Sequence, residues 1–572
     1  MTTSDHETGR ETGHDSGPAE SDLWPADDHA ALIVSVSGED ALAAVSSHVA
    51  ALVVDGVASR ITAQDATLWG PDAVDEASKR LGWVALPESS RPLVEPILAL
   101  RDELRAQGVD RIVLGGMGGS SLAPEVITAT AGVDLVTLDS TDPGQVRAAL
   151  TDLGRTAVVV SSKSGGTVET DSHRRVFEKA FADAGIDPTG RIVVVTDPGS
   201  PLDESAGEAG YRVFRADPSV GGRYSALTAF GLVPAGLAGA DIATLLDEAS
   251  AVADLLADDG EGNPALILGA VLGGTTPLRD KVAFVDLGSG IPGFADWAEQ
   301  LIAESTGKNG TGLLPVVTSG PDAPEIRWPA DDVLVVRLLP PGEDDETIGG
   351  VDPGTAAAVS VAGPLGAQIL LWEYATAVAG RLLSINPFDQ PDVESAKVAA
   401  RGLLDARPEP TPPVAVDGAV EIRASEGLLP DGGSTTLAGA VDALLAALPP
   451  RGYLAVMAYL DRHADAALAG VRDALARRGE RPVTFGWGPR FLHSTGQFHK
   501  GGPAVGVYLQ VTGDAGQDLE VPGRPFTFGQ LITAQAAGDA QVLEGHGRPV
   551  LRLNLTDRAA GLEQLIAALT GS

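Results

Sequence analysis

Cysteine is absent from the chain, and with it go disulfides, thiolate nucleophiles and cysteine-ligated metal. Positive charge is scarce: 40 lysines and arginines stand against 78 acids, a formal charge of −38 over 572 residues. A polyanion repels phosphate backbones and anionic lipid, which argues against nucleic acid or membrane surfaces as partners. Any phosphate ligand has to be held by a local cluster of donors. The nine histidines show no HxH or HExxH spacing, which argues against a metal site built by the protein. Long apolar runs are missing too. The most apolar stretch, PLGAQILLWEYATAVAGRLL at 364–383, is interrupted by Glu373 and reads as a buried helix, not a membrane span. Residues 1–30 carry eight acids, one arginine and no apolar run, so they read as a disordered acidic tail and not as a targeting peptide. A cytoplasmic protein is expected.

What is present is ordinary globular composition, 44% hydrophobic and 21% charged, with length for three domains. From Arg111 short aliphatic runs alternate with helical stretches: RIVLGG, DLVTLDS, TAVVVSSKSGG and RIVVVTDPGS. This is the pattern of βαβ units around a parallel sheet buried on both faces. A second set follows in KVAFVDLGSG, GLLPVVTSG and DVLVVRLLP, with helices expected at 296–305 and 363–383. The proline-rich ARPEPTPP at 406–413 reads as a linker. After it come YLAVMAYL, RPVTFGWG, VGVYLQVTG and PVLRLNLT, with helices expected at 464–478, 527–537 and 558–569. The expected organisation is a first α/β domain with N-terminal helices at 31–256, a second at 257–405, a linker at 406–415 and a smaller α/β domain at 416–572. The first two sheets should be doubly wound and parallel.

Ligands in such sheets sit at the carboxyl ends of strands, where the glycine and serine loops fall. GGMGGSSLAP (115–124) brings Gly119 and Ser120 to a strand end that leads into a helix, a place that favours an anion, although a tight turn needs no ligand. SSKSGGTVET (161–170) gathers Ser162, Lys163, Ser164 and Thr167, more donors than a helix cap requires. Lys163 is one of only seven lysines, in a chain whose surface cation is arginine. GGRYS (221–225) could aim Arg223 at developing negative charge, or be a solvent loop. In WAEQLIAESTGKNGTG (297–312), Gln300 and Glu304 share a helix face, and Glu304 sits at the helix end, where the dipole favours uptake of a proton. Taken alone, an exposed helix glutamate explains it equally. SINPFDQPDVESAK (384–397) places Gln390 and Lys397 seven apart, two turns on one face of a helix that starts after Pro391. RFLHSTGQFHKGGP (490–503) packs His493, His499 and Lys500 into one polar loop, an unusual use of scarce cations for a solvent-facing segment.

Together, and in this order, the five motifs from Gly115 to Lys397 resemble those of the glucose-6-phosphate isomerase family, which has two sugar-isomerase (SIS) domains. The resemblance covers about residues 90 to 400. The segments after the linker resemble the isomerase half of actinobacterial transaldolase–isomerase fusions. The resemblance implies interconversion of glucose 6-phosphate and fructose 6-phosphate through a cis-enediol(ate), without metal or cofactor, in glycolysis and gluconeogenesis. It implies a phosphorylated hexose as partner and allows a homodimer. Ser162, Ser164 and Thr167 would hold phosphate, with Ser120 and Lys163 nearby. Glu304 would be the base, Arg223 would stabilise the enediolate, Gln300 and Gln390 would orient the sugar, and Lys397 would serve ring opening. The family's ring-opening histidine has no counterpart here between His173 and His463. The C-terminal loop is expected to substitute, with His499 favoured over His493 because Lys500 adjoins it. Two readings stay beside this one: activity on mannose 6-phosphate as well, and a non-catalytic sugar-phosphate sensor. A Schiff-base aldolase would need a barrel pattern that is absent.

Overall fold

The computed structural model describes residues 32–344, 357–406, 411–429 and 436–571. The acidic tail at 1–30 and residues 407–410 of ARPEPTPP lie outside them.

The valine-rich runs form strands because β-branched side chains pack well on a pleat covered on both faces. In the first sheet the order is Val136–Leu138, Arg111–Gly116, Thr156–Ser161, Ile192–Thr196, Arg212–Arg215, all parallel. The strand order reverses between Arg111–Gly116 and Thr156–Ser161, which puts the loops 117–121 and 162–167 side by side at the switch point.

The second sheet runs Leu314–Val317, Lys281–Asp286, Val333–Leu339, Ala358–Ala362, Ile33–Ser37. Its last strand is antiparallel and comes from the N-terminal segment. The expectation that 31–256 stays with the first unit is corrected here. Ile33–Ser37 (IVSVS) is a five-residue run with alternation only from Val34 on, too short to separate from the acidic segment before it.

In the third sheet Val483–Trp487, Tyr453–Tyr459, Gly506–Gly513 and Val550–Leu555 are parallel. Val420–Ala424 and Ala415–Asp417 extend it as an antiparallel edge. The helix expected at 464–478 is a 3₁₀ stretch, Ala466–Val471, followed by the helix Arg472–Gly479.

The units share their cores. One cluster runs from Leu52 and Trp83 through Leu114 to Phe284 and Trp372, joining the N-terminal helices to the first two sheets. The helix Leu365–Leu382 is buried from Leu365 to Gly380 inside it, which explains its apolar run. No helix among the described residues is long and apolar enough to cross a membrane. Another cluster packs Ala283, Val316 and Val335 of the second sheet against Tyr453, Phe498 and Tyr508 of the third. A third brings Val521 and Phe528 onto Val158 and Val194 of the first sheet. The C-terminal unit thus lies against both others.

The helix that carries Lys397, Val393–Ala406, packs on the C-terminal helix Phe528–Gly545. Their approach depends on Gly538, where a Cβ would stand 2.7 Å from the backbone nitrogen of Ala400. Gly538→Ala is therefore expected to lower unfolding free energy by about 1–3 kcal/mol, read from denaturant midpoints at constant slope. Unchanged stability would show that the two helices are not seated on each other.

Candidate active site

Arg223 is the hub. It sits in a 3₁₀ turn, Gly222–Tyr224, and is 3% exposed. Nη1 donates to the carbonyl of Glu304 at 2.8 Å and to those of Pro387 and Asp389 at 3.3 and 3.2 Å. Nη2 donates to the carbonyl of Phe388 at 3.4 Å and to Oε1 of Gln390. The GGRYS, QLIAEST and NPFDQ motifs therefore converge on one guanidinium. The glycine loop joins them by backbone contact: a Cβ on Gly119 would stand 1.9 Å from the carbonyl oxygen of Gly222, so only glycine fits.

Glu304, in the last turn of the helix Phe294–Thr306, projects its carboxylate into this convergence. Oε2 accepts from Gln300 Nε2 at 3.0 Å and lies 3.6 Å from Arg223 Nε. The other oxygen, Oε1, accepts no hydrogen bond from the described residues. Lys308, four residues on, is buried and donates to the carbonyl of Asn386 and to Asp389 Oδ1, both at 2.7 Å. Burial first, and the neighbouring Arg223 second, lower its pKa to about 8.

At the switch point Thr167 caps the helix Val168–Asp183 with extended backbone but makes no capping bond with its side chain. Its hydroxyl accepts from Ser162 Oγ at 3.1 Å, and Ser164 Oγ accepts from the amide of Gly166 at 3.3 Å. The first-turn amides of this helix and three hydroxyls face one another, which is anion-binding chemistry. Lys163 is turned aside, 2.7 Å from Asp197, so its charge is matched within the protein. Burial leads both shifts in that pair, lowering the lysine and raising the aspartate. Ser120 is buried in the 3₁₀ turn Gly118–Ser120, and its hydroxyl bonds to none of the described residues.

A cavity of about 180 Å³ opens beside this loop, lined among others by Ser164, Thr167, Glu169, Lys397, His493 and Gln535. His493 Nε2 lies 3.3 Å from Glu169 Oε1, which also accepts from Gln535 Nε2 at 2.7 Å. Burial pushes the Glu169 carboxyl up, but His493 and, further off, Lys397 win, holding it below the usual carboxylate range. Gln300 and Glu304 do not line this cavity; Gln300 approaches it across Gly118. A Cβ on Gly118 would stand 2.8 Å from Gln300 Nε2 and 3.0 Å from His493 Cβ. With φ +55° and both neighbours this close, this position calls for glycine.

The histidine preference is corrected. His499 is 2% exposed, bonded through Nδ1 to Tyr453 OH at 3.0 Å and ringed by Phe491, Tyr453 and Tyr508. Burial first, then the charges of Lys500 and Arg548, hold its pKa well below the usual histidine range. Lys500 is equally sealed, 2.7 Å from Asp539. In the short helix Gly496–Gly501 both side chains turn into the C-terminal core, which one polar-looking string of letters could not reveal. His493 alone of that trio reaches the cavity. Sequence reasoning gave no role to Glu169, although it stands in the SSKSGGTVET motif, nor to Gln535, which no motif marks.

Fold and site define a class: paired α/β sheets of sugar-isomerase type, with a hydroxyl-rich loop at the first sheet's switch point. A probable glucose-6-phosphate isomerase of Natronomonas pharaonis is 33% identical over 372 residues, which is 57% of this chain and 86% of that protein. The glucose-6-phosphate isomerase of Rubrobacter xylanophilus is 30% identical over 377 residues, 55% of this chain and 87% of that one. A crystal structure of a hypothetical protein from Thermus thermophilus matches with TM-score 0.54 and 27% identity, over 65% of this chain and 100% of its own. No family model matches the sequence. The chain belongs to the glucose-6-phosphate isomerase family.

Just behind the His493 turn, Glu299 is half-buried and accepts from Ser494 Oγ at 3.0 Å. Burial, with Asp296 adding to it, raises its pKa from 4.5 to about 8. Such a carboxyl binds its proton more tightly folded than unfolded. Its stabilising contribution is full below pH 4.5 and is lost as pH rises to about 8. Glu299→Gln, which cannot ionise, should therefore gain stability relative to the parent between about pH 5 and about pH 9 in urea titrations. A stability difference independent of pH would contradict this.

Proposed function

We propose that the chain interconverts glucose 6-phosphate and fructose 6-phosphate by proton transfer between C1 and C2 through a cis-enediol(ate). The observation that carries the reading is the state of Glu304: one oxygen is tied to Gln300 and Arg223, the other is free. A hydrogen next to a carbonyl is acidic enough for a positioned carboxylate to remove it. In the open aldose Oε1 takes the proton from C2, the electron pair moves to make the C1–C2 double bond, and negative charge appears on O1. A proton passes from O2 to O1, and the proton held on Glu304 returns to C1 as the C2–O2 bond becomes the ketone. The charge of Arg223, fixed beside the base, opposes the charge that develops on oxygen.

The far end of the sugar carries a dianion. Ser162, Ser164, Thr167 and the first-turn amides at 168–170 would hold it, with Ser120 at the edge, which supplies binding energy remote from the reacting carbons. Gln300 and Gln390 would fix the hydroxyls between. Ring opening needs a proton delivered to the ring oxygen and one removed from the anomeric hydroxyl. Lys397 and His493, both against the cavity and both near Glu169, are the groups assigned to it. Lys163, His499 and Lys500 receive no part in the chemistry, since each is paired or sealed within the protein.

A coupled assay of fructose 6-phosphate conversion tests the reading. Glu304→Gln should lower kcat by about 10²–10⁴-fold with KM little changed, since it removes the proton acceptor and keeps the shape. A variant within a few fold of the parent would refute the assignment. Thr167→Val should act the other way, raising KM about tenfold with kcat nearly preserved, as expected for loss of one hydrogen bond to a charged ligand group. A fall in kcat alone would remove Thr167 from the phosphate site.

A further inference from the structure

The loop that delivers His493 is held from two sides. Arg490–His493 is a single 3₁₀ turn. At its start Arg490 Nη1 donates to Glu125 Oε2 at 2.5 Å and to Asp139 Oδ2 at 2.6 Å. Glu125 lies on the helix Leu122–Thr130, which leaves the glycine loop, and Asp139 follows the strand Val136–Leu138, so both anchors belong to the first unit. Just past its end Ser494 bonds Glu299, on the helix that carries Glu304. His493 is thus suspended between the phosphate-loop sheet and the base-bearing helix. Asp139 is 1% exposed, and Arg490 and Arg462 hold its carboxyl below the usual range against its burial. A buried pair of this kind fixes geometry more surely than it adds stability.

The other described histidines are placed elsewhere. His48 meets the carbonyl of Gly274, His173 that of Ser140, and neither lines the cavity. His493 meets Glu169 across 324 positions of sequence.

We propose that Arg490 is a positioning residue for ring opening: its fork onto Glu125 and Asp139 locks the 3₁₀ turn so that the C-terminal unit completes the site with His493 from the same chain. This rests on the isomerase reading above. Arg490 does not touch substrate; it acts through the histidine three positions on. Its loss should therefore be felt when the sugar ring must open and not when the chain is already open.

The test uses the full-length chain and two ketoses. Fructose 6-phosphate closes through its 5-hydroxyl. 5-Deoxyfructose 6-phosphate lacks that hydroxyl, carries phosphate on O6 and stays open. Arg490→Ala and His493→Ala should each lower kcat on fructose 6-phosphate by about tenfold or more and on the 5-deoxy substrate by less than about twofold. The double variant should be no slower than His493→Ala, because residues that act as one unit do not add. Arg490→Lys should recover part of the loss. Glu125→Gln, which leaves Asp139 in place, gives the same selectivity in milder form should Arg490→Ala fold poorly. Equal losses on both substrates, or effects that multiply in the double variant, would overturn the proposal. Conversion of neither substrate by the parent would overturn the isomerase reading itself. Selectivity in His493→Ala without selectivity in Arg490→Ala would overturn only the positioning role.

Discussion

Arg223 carries a full charge into a place that water hardly reaches, and an unpaired ion there would cost several kcal/mol. The protein offsets this with carbonyls at 304, 387, 388 and 389, the Gln390 amide oxygen and the nearby Glu304 carboxylate. Each hydrogen bond to a charged group is worth about 1.5–3 kcal/mol, so the set is worth keeping intact. Satisfying this one ion obliges the end of the helix Phe294–Thr306 and the turn at 387–390 to meet at the GGRYS loop. Because Gly119 lies flat against Gly222, the glycine loop of the first sheet is drawn to the same point. The placement of Glu304 and of the glycine loop thus follows from where that guanidinium is held.

The third sheet repeats the strand order of the first two, with a reversal between Tyr453–Tyr459 and Gly506–Gly513. In the first sheet the corresponding edge carries the hydroxyl-rich loop. In the third it is used for docking. Arg462, just past Tyr453–Tyr459, reaches Glu125 at 2.9 Å, and Arg558 bridges Asp142 of the first unit and its own Asp465, each at 2.8 Å. Arg524 adds a contact to Asp171 at the start of the phosphate-loop helix. A chain with almost two acids per basic residue thus spends arginines where two of its units meet, so that acidic surfaces close on each other without repulsion.

Much of this was legible in the letters. Runs such as Val158–Val160 and Val193–Val195 announce buried parallel strands, because no other structure tolerates β-branched residues on both faces so readily. The site motifs were legible because backbone constraints and ligand donors coincide in short segments such as 115–124 and 161–170. What failed to show was anything decided by distant packing. The edge strand Ile33–Ser37 pairs with residues more than three hundred positions away. The choice between His493 and His499 turned on two separate short elements: His493 ends the turn Arg490–His493 and lines the cavity, whereas His499 in the helix Gly496–Gly501 faces Tyr453 and Tyr508. Glu169 reads as an ordinary first-turn acid until Gln535 and His493, both from the C-terminal unit, are placed beside it.

The account stands on a carbon-bound hydrogen leaving as a proton to Glu304, and its fate in heavy water reports that step directly. When fructose 6-phosphate is turned over in D₂O and the glucose 6-phosphate is examined by proton NMR, deuterium should appear at C2, because a proton held on a carboxylate exchanges with solvent before it is returned. Complete retention of the original hydrogen through many turnovers would mean that it moves between carbons as hydride, and the role assigned to Glu304 would be contradicted.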